Sequence, residues 1–291
     1  MSTRPQISGF AGEYYQSVAR AFSRSAPLYD ADQMSNCIAR WTRARSLGVL
    51  TRAFGDGHRV LELGCGTGTE AIHLAARGVW VVATDPAPAM VARLEAKLAS
   101  PHLRTRVAPR ITPIVMPAHD AGRLVRIYGP ASFDGAYSSF GPLNCEPDLH
   151  PVSRALAALV KPGGKLVLSA INRYCLWETL WYLLAGRPGL ALRRWPGRAE
   201  ATVRGEWQDD RIPIFYRSPR AFVQAFRPGF RVVRRMALPW LLPPQYLHGL
   251  VERAPALFNR LARWDRRLAY MWPMYWLGDH FLIELVRTGE A

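Results

Sequence analysis

Residues 59–77 read RVLELGCGTGTEAIHLAAR. Val60–Leu63 is a short apolar strand, Gly64-Cys65-Gly66-Thr67-Gly68 a glycine-rich turn, and Ala71, Ile72, Leu74 and Ala75 supply the apolar side of the helix beyond it. That context suits a nucleotide-type ligand: glycine lets the backbone approach where a Cβ would collide, and a helix start presents unpaired N–H groups. The spacing narrows the ligand. Dinucleotide folds seat a pyrophosphate on G-x-G-x-x-G, whereas these glycines run G-x-G-x-G with Glu62 two positions ahead of Gly64. Downstream, Trp80–Thr84 reads as a second strand ending at Asp85, about 20 residues past the turn, where a carboxylate can accept both hydroxyls of a ribose. Pro86-Ala87-Pro88-Ala89-Met90 starts a helix, Ile111–Val115 is a third strand and Ser132–Phe140 a fourth. Val152–Leu159 is a helix, Lys161-Pro162-Gly163-Gly164 a tight turn and Lys165–Ile171 a fifth strand. Five strand–helix alternations imply a parallel, doubly wound sheet with its ligands beyond the carboxyl ends of the strands.

Glu62-x-Gly64-x-Gly66-x-Gly68 resembles motif I of the class I S-adenosylmethionine (SAM)-dependent methyltransferases, whose ligand has an amino acid tail in place of a pyrophosphate. The resemblance implies SAM as cofactor, Glu62, Gly64, Cys65, Gly66 and Gly68 as its binding turn, and Asp85 on its ribose. His119-Asp120-Ala121-Gly122-Arg123-Leu124 resembles the family's G-D-A-x-x-L segment, with His119 replacing the usual glycine. It implies that the Asp120 carboxylate receives the adenine amino group and that the Ala121 N–H meets the ring nitrogen. Ser138 lies near the end of the fourth strand, which faces the transferable methyl in this family, and is implied as a further cofactor contact. Val18–Asp30 (VARAFSRSAPLYD) and Ser169-Ala170-Ile171-Asn172-Arg173 resemble ubiquinone- and menaquinone-type methyltransferases, where an aromatic of the A-P-x-Y-D stretch covers the cofactor; Tyr29 stands there. The quinone O-methyltransferases carry a carboxylate-and-histidine cluster after the fourth strand that can hold a metal. Ser138-Ser139-Phe140-Gly141 departs from it, so no metal is expected, and the departure argues against ubiquinone O-methylation.

The fold class so implied is α/β: a seven-stranded Rossmann-like doubly wound sheet, mostly parallel with an antiparallel last strand, plus helical cap and lid insertions. The general resemblance spans residues 15–235. Residues 1–50 form an N-terminal helical cap and 51–171 the SAM-binding core. Residues 172–217 are a lid or substrate insertion, and 218–237 continue the core, with Phe230–Ala237 as sixth strand. Residues 238–278 are a second helical insertion and 279–291 carry the last strand, Asp279–Arg287. Both insertions leave carboxyl ends of parallel strands, which puts them on the ligand side. His150, Glu146 and Asp148, after the fourth strand, and His280, at the mouth of the last, are the candidate bases for the acceptor. His150 is the best placed by sequence.

Composition bears on the partner. The 291 residues hold 38 basic and 22 acidic side chains, +16 overall, which brings nucleic acid, a phospholipid surface and an acidic substrate into view. Only Lys97, Lys161 and Lys165 are lysines, an arginine bias that coding composition alone could produce. Eight of the ten tryptophans lie from Trp177 onward. Leu176, Trp177, Leu180, Trp181, Leu183 and Leu184 recur at helical spacing ahead of Arg187, Arg193, Arg194 and Arg198. In 255–270, Leu257, Leu261, Trp264 and Leu268 share one helical face, with Arg260, Arg263, Arg266 and Arg267 over the rest. Such helices line an apolar entrance or lie in a membrane interface. The expected partner is a small lipophilic or aromatic acceptor, with peripheral membrane contact as an open reading and no oligomeric state implied. Nucleic acid is disfavoured, because the N/D-P-P-Y/F of base-amine methyltransferases is absent after the fourth strand. A SAM-binding sensor or assembly subunit without transfer activity is the alternative. Four scattered cysteines, no secretory leader pattern and no apolar run of about 18 residues point to the cytoplasm, with the inner membrane surface accessible.

Overall fold

The computed structural model describes residues 6–227 and 229–289. The first five residues of the expected cap, Pro228 of the core continuation and the last two residues of the final segment lie outside that range. The chain begins with helices α1 (Gln6–Ser35) and α2 (Cys37–Ala53), hinged at Asn36, whose side chain accepts from the N–H groups of Ile38 and Ala39. The core then alternates β1 (Arg59–Leu63), α3 (Thr69–Ala75), β2 (Trp80–Asp85), α4 (Pro88–Leu98), β3 (Ile111–Val115), β4 (Phe133–Ser138), α5 (His150–Leu159) and β5 (Val160–Ile171). Helix α6 (Leu176–Leu184) and a hairpin of β6 (Arg198–Val203) and β7 (Asp210–Phe215) fill the first insertion. Helix α7 (Pro219–Phe226) leads to β8 (Phe230–Ala237). The second insertion carries α8 (Pro255–Leu268) and returns to β9 (His280–Arg287).

The seven core strands run in the order β3-β2-β1-β4-β5-β9-β8, and β9 is antiparallel to both neighbours. Period-two burial builds this sheet. Leu61, Leu63, Phe133, Phe281 and Ile283 pack on one side with Leu156, Phe222 and Phe226; Val60, Val81, Tyr137, Val167 and Leu282 pack on the other with Leu50, Leu74 and Leu94. Every core strand expected from the sequence is present, with ends shifted by a residue or two except at β5, which begins five residues early. The Lys161–Gly164 turn is instead an excursion inside β5, where pairing jumps from Phe133↔Val160 to Gly135↔Lys165. The hairpin was not anticipated, because Arg198–Val203 alternates charged and small residues and lacks a strand's apolar signature.

Candidate functional site

The turn after β1 is built as its glycines require. The N–H groups of Gly64 and Cys65 both donate to the Thr84 carbonyl, at 2.8 and 2.9 Å, tying the turn to the end of β2. Gly64 and Gly68 hold φ of +74° and +82°; a Cβ at the first would collide with Pro142, at the second with Leu94. Gly66 differs. Its φ is +51°, and a Cβ there would make only ordinary van der Waals contact with the Tyr29 ring edge, 3.7 Å away. Asp30, next to that tyrosine, takes Thr67 Oγ1 at 2.6 Å and the Lys97 ammonium at 2.7 Å, so the A-P-x-Y-D stretch is clamped across the turn. Asp85 Oδ2 accepts from the Gly66 N–H at 2.8 Å and Oδ1 from Ala87 N–H at 2.9 Å, leaving further acceptor capacity on both oxygens. Burial pushes its carboxyl up to about 6, against the lowering effect of those two donors.

Tyr29, Gly64, Gly66 and Asp85 line one cavity of about 620 Å³ that runs from the glycine turn past the ends of β4 and β5 to the start of β9. The other expected site residues stand behind its wall or away from it. Cys65, Gly68 and Ser138 are backing; Ser138 Oγ donates to Leu63 O, and Ser139 takes its place at the surface of the cavity. Glu62 is sealed under the turn with Oε2 unpaired among the described residues, and burial first, then Glu70, raises its carboxyl. Asp120 pairs with Arg123 at 3.3 Å and Ala121 is packed in the core, while Pro117 and Ala118, three residues earlier, form the cavity wall. The helical turn starts directly after β3, which brings Pro117 and Ala118 to the cleft first. His150 is exposed at the first position of α5, its N–H bonded to Asp148 Oδ1.

Beyond the β4 end the cavity becomes an apolar chamber. Val203, Ile212, Ile214 and Tyr216 of the hairpin face Val18 and Phe22 of α1. Its far wall is ionic. Arg194 donates to Asp279 Oδ1 at 2.8 Å and to Glu178 Oε2 at 2.6 Å; Arg193 and the Tyr246 hydroxyl also bond Glu178. Burial alone would raise both carboxyls, but Arg194 and then His280 hold Asp279 well below the usual range, and Arg193, Arg194 and Tyr246 lower Glu178. His280 Nδ1 lies 3.0 Å from Asp279 Oδ2. Of the four candidate bases, His280 and Glu146 line the cavity; Glu146 is held by Tyr15 OH at 2.7 Å and by His119. The Glu178–Arg194–Asp279 network escapes sequence reading, since its members come from an insertion and the last strand. No group of three metal-ligating side chains occurs among the described residues.

A family model for a methyltransferase domain matches residues 60–164. The chain is 33% identical over 164 residues to a ubiquinone biosynthesis O-methyltransferase of Xanthomonas euvesicatoria pv. vesicatoria (strain 85-10), covering 56% of this chain and 64% of that one. It is 32% identical over 174 residues to the protein of the same name from Xanthomonas campestris pv. campestris (strain B100), covering 60% and 67%. A solved S-adenosylmethionine-dependent methyltransferase from Mesorhizobium loti superposes with a TM-score of 0.52 at 20% identity, over 84% of this chain and 98% of that one. The strand order, the glycine turn under Tyr29 and these matches converge: the chain belongs to the class I S-adenosylmethionine-dependent methyltransferase family.

Proposed function

We propose that the chain transfers a methyl group from SAM to a small lipophilic acceptor held in the chamber between α1, the β6–β7 hairpin and the start of β9. The observation that carries this reading is the continuity of one cavity from the glycine turn and Asp85 to an apolar chamber. The cavity beside Gly66 and the free acceptor capacity of Asp85 fit an adenosyl amino acid. Asp85 would accept its ribose hydroxyls, the Gly64–Gly68 backbone would meet the amino acid end, Tyr29 would cover it, and Pro117–Ala118 would border the adenine. Its sulfonium supplies an already activated methyl, so the protein chiefly aligns the acceptor and excludes water. The Xanthomonas relatives are named O-methyltransferases of ubiquinone biosynthesis, which supports an oxygen acceptor on an apolar frame. The test is tritium transfer from methyl-labelled SAM into a lipid extract of cells lacking the chain. Repeated turnover favours the enzyme; SAM binding without transfer favours a sensor, and label in RNA or DNA a nucleic-acid enzyme.

A specific observation favours contact with an anionic membrane surface. Helices α6 and α8 meet through Trp177 and Phe258, their ring centroids 6.3 Å apart, yet Leu180, Trp181 and Leu184 on one and Leu257 and Trp264 on the other stay exposed. Leu184 is 87% exposed and Trp272, beyond α8, 74%. Arg267 lies over the Trp264 ring at 5.4 Å, and Arg260, Arg263 and Arg266 are exposed on the same helix. Exposed tryptophan and leucine ringed by arginine match a lipid interface, where each nearby arginine contributes about 1 kcal/mol. No helix is long and apolar enough to cross a membrane among the described residues.

A further inference from the structure

We propose that His280 is the general base of the transfer, that Asp279 and Arg194 are its positioning residues, and that the acceptor therefore presents an ionisable O–H such as a phenol or enol. The inference rests on the methyltransferase reading above and assigns its proton acceptor.

The geometry is that of an imidazole oriented by a carboxylate. Asp279 is 4% exposed and lies 3.0 Å from His280 Nδ1, while its other oxygen takes Arg194. With that carboxylate ionised, Nδ1 must carry the proton of the neutral ring, which leaves the Nε2 lone pair free. Nε2 has no hydrogen-bond partner among the described residues and is not among the sealed polar atoms, and the residue lines the cavity. His280 pairs across the sheet with Ile171 of β5, three residues beyond the Leu168 that pairs with Ser138, so it stands two strands across and roughly 14 Å in all from the end of β4. An acceptor ring fits in that interval. The charged and titratable groups around it are Asp279, Arg194, Glu178 and Arg193, with Tyr246 and Tyr216, while Glu200 and Arg204 border the hairpin side of the cavity.

In the step, Nε2 takes the acceptor's O–H proton and an oxygen electron pair forms the new O–CH3 bond. The methyl–sulfur bond breaks with its electron pair going to sulfur, giving a neutral thioether and a methyl ether; the imidazolium then loses its proton to water. An amine acceptor reacts through its own neutral lone pair and gains little from this base.

The test is transfer of tritiated methyl to the lipid extract of cells lacking the chain, using wild type, His280→Gln and His280→Ala. His280→Gln is expected to lower kcat by roughly 100-fold or more while S-adenosylhomocysteine affinity stays within about twofold, and added imidazole is expected to restore part of the rate to His280→Ala. With SAM saturating at every pH, the wild-type kcat/KM for the acceptor should rise with pH to a plateau, a rise absent from His280→Gln. Equal rates in wild type and His280→Gln overturn the inference and leave the methyltransferase reading intact, whereas no label with wild type overturns that reading and the inference with it. Should both variants lose S-adenosylhomocysteine binding, nitrogen-15 NMR of the wild-type histidines decides: a neutral His280 ring protonated on Nδ1 supports the assignment, and one protonated on Nε2 overturns it.

Discussion

Asp85 joins the backbone of the turn to the cavity beside it, and its ionisation sets a pH dependence at the scale of one residue. Its carboxyl is pushed up to about 6, so the folded protein holds that proton more tightly than the unfolded chain does. The free protein therefore gains a little stability as the pH falls from about 6 towards 4. Binding runs the other way, since a protonated carboxyl has lost acceptor capacity for the ribose hydroxyls. S-adenosylhomocysteine affinity is expected to fall as the pH drops through about 6, measured by calorimetry across that window; an unchanged affinity would remove Asp85 from the ribose. That Gly64, Gly66, Asp85 and Tyr29 come together on one cavity was legible because each answers a local demand, a positive φ, a close approach or an acceptor at a strand end, that few residue types can meet. Asp120 stands off that cavity because the motif's letters occur three residues after the pair that borders it. The Arg194–Asp279 pair is separated by 85 positions and has no local signature.

Elements were legible where burial enforced a period. Strands β1 to β5, β8 and β9 carry alternating or continuous apolar runs and were read directly, while β6 and β7 close a half-exposed hairpin and were not. In α8 the apolar stripe of Leu257, Leu261, Trp264 and Leu268 would be expected to face the core. The buried pair is instead Phe258 and Asp265, because Asp265 accepts from the N–H groups of Trp240 and Leu241 and from Arg45 at 2.8 Å. Helix α6 likewise buries Glu178, which binds Arg193, Arg194 and Tyr246 and so connects both insertions to the start of β9. Glu178→Ala leaves buried guanidinium charge short of a partner, so a loss of roughly 3–5 kcal/mol in denaturant unfolding is expected. A loss below about 1 kcal/mol would mean that the network carries no stability. The lowered carboxyls of Glu178 and Asp279 add a second expectation. Their contribution is complete above about pH 4, where the unfolded carboxyls are ionised, and is lost as the pH falls below it. The midpoint of thermal unfolding should drop across that range in wild type, and less in Glu178→Ala.

At the scale of the whole molecule, the eight late tryptophans all fall in the two insertions, residues 172–217 and 238–278, whereas these carry 13 basic and 7 acidic side chains, +6 of the total of +16. On the proposed reading, their exposed outer faces would meet an anionic membrane surface. Wild type is expected to sediment with vesicles of phosphatidylcholine and phosphatidylglycerol, less at high salt, and poorly with phosphatidylcholine alone. Leu180→Glu combined with Trp264→Glu should abolish sedimentation without lowering S-adenosylhomocysteine affinity. Sedimentation that survives both substitutions would place the lipid contact elsewhere.

The cofactor cleft is the part of the account on which the rest depends, and titration of wild type and Asp85→Ala with SAM tests it most directly. Wild type is predicted to bind at micromolar strength and the variant about 10- to 100-fold more weakly, the size of lost charge-assisted hydrogen bonds, with cooperative unfolding retained in both. Equal affinity in the two proteins, or no binding by wild type, would contradict it.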